Sequence, residues 1–427
     1  MEEVLLLLLG KGKAVWDPSK NYDLTNYFLL DSPNNKADTP FIVEALLKLH
    51  PKRFKKVHIL GTQDALWDEL HNYCTKGSDI EISTSLNEAV KNRNLTNGDP
   101  LLKSLEAAFF SYTNTECQCH IVELGTTDEE LWRTFKDITS SNLDLAGRKI
   151  SIDITHSLRF HTLFLVFALN YVQSVNPKTK FGSVFYGAFE LKTAHNGLTP
   201  ILNLTPFTEM MEWINAAQAF QRYGDPRFLA DLLEPHNQPD LINKMLDFSN
   251  ALQLNDVTLI RKTSIELTHM LHRLRSNLPS PLQLIVPSIQ ELPNKLQHVP
   301  THWGTMVRVS RHHLNNNHIG LAVLAAWEAV IERFNDIYKP KDKQQAYKKL
   351  SEKARGGTLR DLVSSDFQEV IWKLAEFRNY IAHAGESRFK VSITDIARNF
   401  PSLLNTLETL LGDAKLQEMK DLDPWIE

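Results

Sequence analysis

Residues 150–172 read ISIDITHSLRFHTLFLVFALNYV, and the two ends of this stretch follow different periods. Ile150–Thr155 is a short, β-branched run that predicts a buried strand, while Leu158–Val172 carries apolar residues at helical spacing. Between them the turn Asp153-Ile154-Thr155-His156-Ser157-Leu158-Arg159 opens the helix. There Thr155 or Ser157 can cap free N–H groups, and the helix terminus favours an anionic group.

The same alternation recurs toward the N-terminus. Val4–Leu9 is a continuous apolar run closed by Gly10-Lys11-Gly12, and Val57–Leu60 is a second one closed by Gly61. Cys119–Leu124 and Ser183–Phe189 extend the strand series. Pro40–His50, Asp64–Cys74 and Thr126–Ile138 supply helices between the strands. Short apolar strands alternating with helices predict a parallel, doubly wound sheet buried on both faces. Residues 190–205 read as a turn around Asn196-Gly197 leading into a last edge strand. After Pro206 the strand signal stops, and every periodic segment is helical: Phe207–Tyr223, Leu321–Tyr338, Phe367–Ala382 and Ile393–Leu411. Residues 278–300 hold Pro279, Pro281, Pro287, Pro293 and Pro300, which predicts a punctuated stretch or linker. The fold class is thus α/β in front and all-α behind, with boundaries at 1–205, 206–305 and 306–427.

Composition bounds the possibilities further. The chain has 427 residues, 42% hydrophobic and 23% charged, which fits a folded protein of roughly three domains. With 47 Lys plus Arg against 51 Asp plus Glu, the net charge of −4 excludes a protein that coats nucleic acid by bulk charge. Its 3 cysteines are too few for a disulfide framework and point to a reducing cytoplasm. No targeting or membrane-spanning segment is read, since Val4–Leu9 follows two glutamates and Leu163–Leu169 stops at Asn170. The expected location is cytoplasmic.

In an open parallel sheet, ligands bind where loops leave the carboxyl ends of strands. Gly10-Lys11-Gly12-Lys13, Thr62-Gln63 and the turn from Asp153 to Arg159 are three such loops. Glycines let backbone approach a ligand, and lysine adds positive charge. No G-x-x-x-x-G-K-[ST] phosphate loop is present. From the residues alone these are equally good strand-to-helix turns, with Asp153 a buried structural carboxylate.

DITHSLR, with LLLLLGKGK, ILGTQDALWDEL and VFYGAFE, resembles the CARF sensor domain of CRISPR-associated proteins, in the subgroup with a D-x-T-H-x-x-R turn. The following TPFTEMMEWINAAQAFQRYGD resembles that subgroup's helix after the sensor. This resemblance implies a Rossmann-like domain that binds cyclic oligoadenylate in the groove of a homodimer. Carried over residue by residue, ligand contacts fall on Gly10, Lys11, Gly12, Thr62, Thr155, His156, Ser157 and Arg159.

Three arginine–histidine pairs stand five apart: Arg53/His58, Arg308/His313 and Arg378/His383. His58 lies in the apolar run VHIL and reads as a core or edge histidine, and RVSRHHLNNNH lacks an apolar face to hold His313. Arg378/His383 instead ends a helix oriented by Val370, Ile371, Leu374, Phe377 and Ile381. Asn379 and His383, four apart, share one face of it. This R-N-x-x-x-H in an all-α block resembles the HEPN ribonuclease domain. The resemblance implies a metal-independent endoribonuclease that cleaves single-stranded RNA through 2′-OH attack, leaving a 2′,3′-cyclic phosphate. Arg378, Asn379 and His383 would be its catalytic residues, two motifs meeting across a homodimer or higher oligomer. Without the resemblance, the same residues complement a helix dipole.

Glu328 and Glu332 are placed to reach Arg378 from a facing helix, or else Glu332 pairs with Arg333 on a solvated face. Lys339–Arg360 carries eight basic residues against Asp342 and Glu352, a run suited to steering RNA or to a solvated loop. Neither Cys117 and Cys119 nor His302, His312, His313 and His318 has metal-ligand spacing, so no metal and no cofactor is expected. The whole reading is a cyclic-oligoadenylate-activated ribonuclease of type III CRISPR antiviral defence, coupled through the helices of residues 207–305. Its rivals are a ligand-responsive regulator with an inert helical domain, and a CARF domain that also degrades its own cyclic ligand.

Overall fold

The structure is a computed structural model that describes residues 1–11, 24–140, 143–156, 159–339, 364–383 and 391–413. The chain forms two compact units, Met1–Glu209 and Met210–Glu427.

The front unit is built on β1 (Glu3–Leu9), β2 (Thr25–Leu29), β3 (Ser32–Thr39), β4 (Phe54–Gly61), β5 (Glu116–Ile121), β6 (Lys149–Asp153), β7 (Lys180–Gly187) and β8 (Thr199–Asn203). They form one sheet in the order β3-β2-β8-β7-β6-β1-β4-β5. Only β2–β3 and β7–β8 are antiparallel; all other neighbours are parallel. Inside the sheet, β1 is apolar from Val4 to Leu9 because both faces are covered. Leu5, Leu7 and Leu9 pack with Ile42, Leu46, Trp67 and Leu105 on one side. Val4, Leu6 and Leu8 pack with Ile138, Leu165 and Leu169 on the other. Helices α1 (Ile42–Leu49), α2 (Trp67–Cys74), α3 (Ile80–Asn92), α4 (Pro100–Thr113), α5 (Asp128–Thr139) and α6 (Arg159–Val175) supply those layers.

Two elements correct the sequence reading here. The strand after Asn196-Gly197 is β8, and it is not an edge: β7 flanks it on one side and β2 on the other. The true edge is β3, SPNNKADT, whose polar, mostly exposed side chains and proline suit an edge but hide it from an apolar-run criterion. The opposite edge, β5, is closed by side chains. Asn97 Oδ1 accepts the Ile121 N–H at 2.7 Å while its Nδ2 donates to Ile121 O at 3.1 Å, as a neighbouring strand would. Glu106 Oε1 accepts the Cys119 N–H at 2.9 Å.

The helical unit contains α7 (Thr205–Tyr223), which begins just before it, then α8 (Arg227–Leu233), α9 (Pro239–Gln253), α10 (Val257–Leu274) and α11 (Ser280–Gln297). After them come α12 (His302–Asn315), α13 (Ile319–Tyr338), α14 (Ser365–Ala382) and α15 (Ile393–Gly412). One buried cluster runs through them, from Trp213 and Phe248 to Leu374, Phe400 and Leu411. The proline-punctuated stretch is not a linker but the single helix α11, with Pro287 and Pro293 inside it. Each interior proline costs about 3 kcal/mol. Burial of Leu282, Ile285, Val286, Ile289, Leu292 and Leu296 along one face offsets that, at roughly 1.5–3 kcal/mol per side chain. α12 also differs from expectation. Its Met306, Val307 and Val309 are buried beside His313, so that histidine does sit on an anchored face.

Among the described residues, no helix is long and apolar enough to cross a membrane.

Candidate functional site

In the front unit, the carboxyl ends of β1, β4 and β6 lie side by side, because β1 pairs in parallel with both neighbours. Above them opens a cavity of about 420 Å³ lined by Gly10, Lys11, Thr62, Asp64, Thr155, His156 and His161 among others. Five of the expected ligand residues, Gly10, Lys11, Thr62, Thr155 and His156, therefore share one cavity. Gly12 and Ser157 lie outside the described residues, and Arg159 is placed only as the first residue of α6.

Small residues make the approach possible. A Cβ on Gly61 would stand 2.6 Å from the Trp67 ring, and one on Gly10 would stand 3.3 Å from the His156 Cβ. Polar order comes from two aspartates. Asp64 Oδ2 meets Lys11 Nζ at 2.6 Å and Arg93 Nη2 at 2.9 Å, and its Oδ1 accepts the Thr62 hydroxyl at 2.7 Å. Burial pushes the Asp64 carboxyl up, but the bonds from Lys11 and Thr62, with both nearby cations, hold it below the usual range. Asp153 is fully buried, and burial pushes its carboxyl up to about 7 against the bonds from Thr155. His156 lies 5.6 Å from the Phe189 ring, and burial pushes its imidazole down. Burial also pushes His161 down, and among the described residues its Nε2 has no hydrogen-bond partner.

The sequence reading missed Asp64, Arg93 and His161. Asp64 stands two residues past Thr62 in the same loop, a signal that was available. Arg93 caps the end of α3 and His161 lies in the first turn of α6, and only tertiary packing brings Arg93 to Asp64 and His161 to the cavity.

The second set of residues sits at the end of α14. Ser364 caps that helix through the Phe367 N–H, and buried Phe367, Val370, Ile371, Leu374 and Phe377 fix its orientation. Arg378 and Asn379 are half-buried, with Arg378 Nη1 donating to Asn379 Oδ1 at 3.3 Å. His383 is the exposed C-terminal cap, its N–H donating to Asn379 O at 3.0 Å. Across from them on α13, burial and Glu332 push the Glu328 carboxyl up while the Arg378 charge pulls it down. Glu332 does not pair with Arg333 on a solvated face. It meets His302 Nδ1 at 3.3 Å, while the buried Arg333 guanidinium lies 5.3 Å from the Trp303 ring.

The other histidines resolve differently. His58 is buried on β4 with its Nδ1 3.1 Å from His120 Nε2, and burial pushes it down to about 3. Arg53, its partner by spacing, is instead bonded to Glu3 and Ser183. Lys339 ends α13, and the rest of the basic run to Arg360 lies outside the described residues. Among the described residues, no group of three His, Cys, Asp or Glu side chains could hold a metal ion. A larger groove of about 590 Å³ between α14 and α15 carries Asp366, Glu369, Glu376 and Asp395 against Lys373, a charge unsuited to RNA.

Comparison with known proteins agrees with this architecture. Residues 209–300 match the family model described as the second domain of CRISPR-associated protein MJ1674. The CRISPR-associated protein MJ1674 of Methanocaldococcus jannaschii is 22% identical over 97% of this chain and 69% of its own length. Both matches are to a CRISPR-associated protein, which supports the family expected from the sequence. A solved structure, Enterococcus italicus Csm6 bound to cyclic hexa-2'-fluoro-hexa-dAMP, covers 98% of both chains at 11% identity with a TM-score of 0.38. At that distance it adds nothing about the ligand of this chain.

Proposed function

We propose that this CARF–HEPN protein is an endoribonuclease of type III CRISPR antiviral defence, switched on by cyclic oligoadenylate and independent of metal. The observation that carries the reading is the convergence of Gly10, Lys11, Thr62, Thr155 and His156 on one cavity at three strand ends. A cation and the N-terminus of α6 suit a phosphate-bearing ring.

The rear site would work with side chains alone. Arg378 would stabilise charge building on the scissile phosphate as the neighbouring 2′-hydroxyl attacks. His383 would move the proton, since imidazole exchanges one near neutral pH. Asn379 would hold Arg378 through the bond already described. The products would be a 2′,3′-cyclic phosphate and a free 5′-hydroxyl. A single histidine per chain is thin for both proton transfers, so two copies would share the site.

A second copy has a surface to use. Phe160, Leu163, Phe167, Tyr171 and Val175 are exposed along α6 at helical spacing, with exposed Trp132 on α5. A stable interface needs about 800 Å² per partner with an apolar centre, and this stripe starts at the loop that borders the cavity. Labelled single-stranded RNA, incubated in EDTA with cyclic tetra- or hexaadenylate, tests the reading. Ring-stimulated cleavage is expected for one ring size; no cleavage with any ring contradicts it.

A further inference from the structure

The loop after β6 carries the motif that points to a ligand, yet its threonine is engaged from within. Thr155 Oγ1 donates to Asp153 Oδ1 at 2.6 Å and accepts the Gly187 N–H at 2.7 Å. A hydroxyl has one proton to donate, and here it goes to the aspartate. The Thr155 N–H points to the same Asp153 oxygen at 3.3 Å, and the Ile154 N–H donates to Phe185 O at 3.0 Å. The end of β6 is therefore tied to the end of β7 by one side chain and one backbone bond. Thr62 repeats the pattern on the β4 loop, giving its only proton to Asp64, two residues on.

Asp153 is built for such a role. It is fully buried, and among the described residues its Oδ2 has no hydrogen-bond partner, nor has the hydroxyl of buried Tyr27 on β2. A carboxyl with an unpartnered buried oxygen is costly to keep. It does not line the cavity. Among the described residues, its side-chain hydrogen bonds are those with Thr155.

We propose that Asp153 and Thr155 form a clamp that positions the ligand loop, with Thr155 a strut between β6 and β7 rather than a donor to the ligand. Contact with the phosphates then falls to Lys11, His156 and the N-terminal amides of α6. This rests on reading the cavity as the cyclic-oligoadenylate site, and the test separates the two claims.

The full chain and the variants Thr155→Val, Thr155→Ser, Asp153→Leu, Asp153→Asn and His156→Ala are titrated with cyclic tetra- and hexaadenylate. Amide exchange at Gly187 is followed without ligand, reporting the clamp directly. Thr155→Val and Asp153→Leu should weaken ring binding about tenfold and speed Gly187 exchange. Thr155→Ser and Asp153→Asn, which keep the hydroxyl and the acceptor, should restore both. His156→Ala should weaken binding and leave Gly187 exchange at the parental rate. Weakened binding in Thr155→Val with unchanged Gly187 exchange would make the threonine a direct ligand donor and overturn the clamp. If the parent binds no ring, the ligand reading fails while Gly187 exchange still decides the clamp.

Discussion

The two units hold their chemistry in opposite ways. In the front unit, the cavity is assembled from three strand ends that are far apart in sequence and adjacent only through the register of β1 with β4 and β6. In the helical unit, Arg378, Asn379 and His383 come from the last turns of one helix. The first arrangement is set by the topology of the sheet, so its side chains are bonded to one another before any ligand arrives. The second leaves His383 exposed at a helix end and gains its full complement of groups only from a second copy, in the reading proposed above. A sensor benefits from a preformed cavity, and an enzyme held idle benefits from an incomplete one.

The largest effect should come from the incomplete site. Arg378→Ala is expected to lower ring-stimulated RNA cleavage by about 10²–10³-fold, with ring binding unchanged by titration. Equal cleavage by the variant would show that the α14 motif is inert and remove one side of the comparison.

Next in size is the response to acid, where the units should differ. Burial and neighbouring imidazoles push both His312 and His313 down to about 4 in the helical unit. Unfolded, each titrates near 6.5, so the unfolded state binds more protons between those values. Stability is then fully present above pH 6.5 and lost as pH falls toward 4, on the order of a few kcal/mol. The front unit mixes signs. His58 and His120 behave the same way, but Asp153 and Glu69, pushed up to about 7 by burial, gain stability as pH falls through 7. Urea unfolding of the full chain at pH 7 and pH 5 should show the helical unit losing more. His313→Leu, which removes a buried imidazole, should flatten that loss.

A smaller test falls on the preformed cavity. Gly61→Ala forces a Cβ against the Trp67 ring, and overpacking of this kind costs about 1–3 kcal/mol. Thermal unfolding should show the front transition lowered and the helical one unmoved. The smallest effect concerns the β5 edge. Asn97→Ala exposes the Ile121 amide groups, should cost about 1 kcal/mol, and should raise self-association in sedimentation.

The comparison also explains which features could be read from the sequence. β1 was legible because both of its faces are buried, so it is a continuous apolar run. The hairpin β2–β3 was not, because its edge strand is nearly all polar. Helices α3 and α4 went unread because their caps, Asp79 and Asp99, look like ordinary loop residues. In α11, proline was read as a breaker, whereas the apolar stripe around Pro287 and Pro293 overrides that local preference. Of the candidate residues, Lys11, Thr155 and His156 announce themselves by standing just after strands. Arg93 reaches Asp64, and His161 the cavity, only through packing, which no local pattern records.

One measurement separates the roles assigned to the two units. RNA cleavage in EDTA is followed against cyclic oligoadenylate concentration for the parent, His156→Ala and His383→Ala. The account predicts that His156→Ala needs more ring to reach the parental rate, while His383→Ala binds ring as the parent does and cuts no RNA. Cleavage by His383→Ala at the parental rate, or a His156→Ala response identical to the parent, would contradict it.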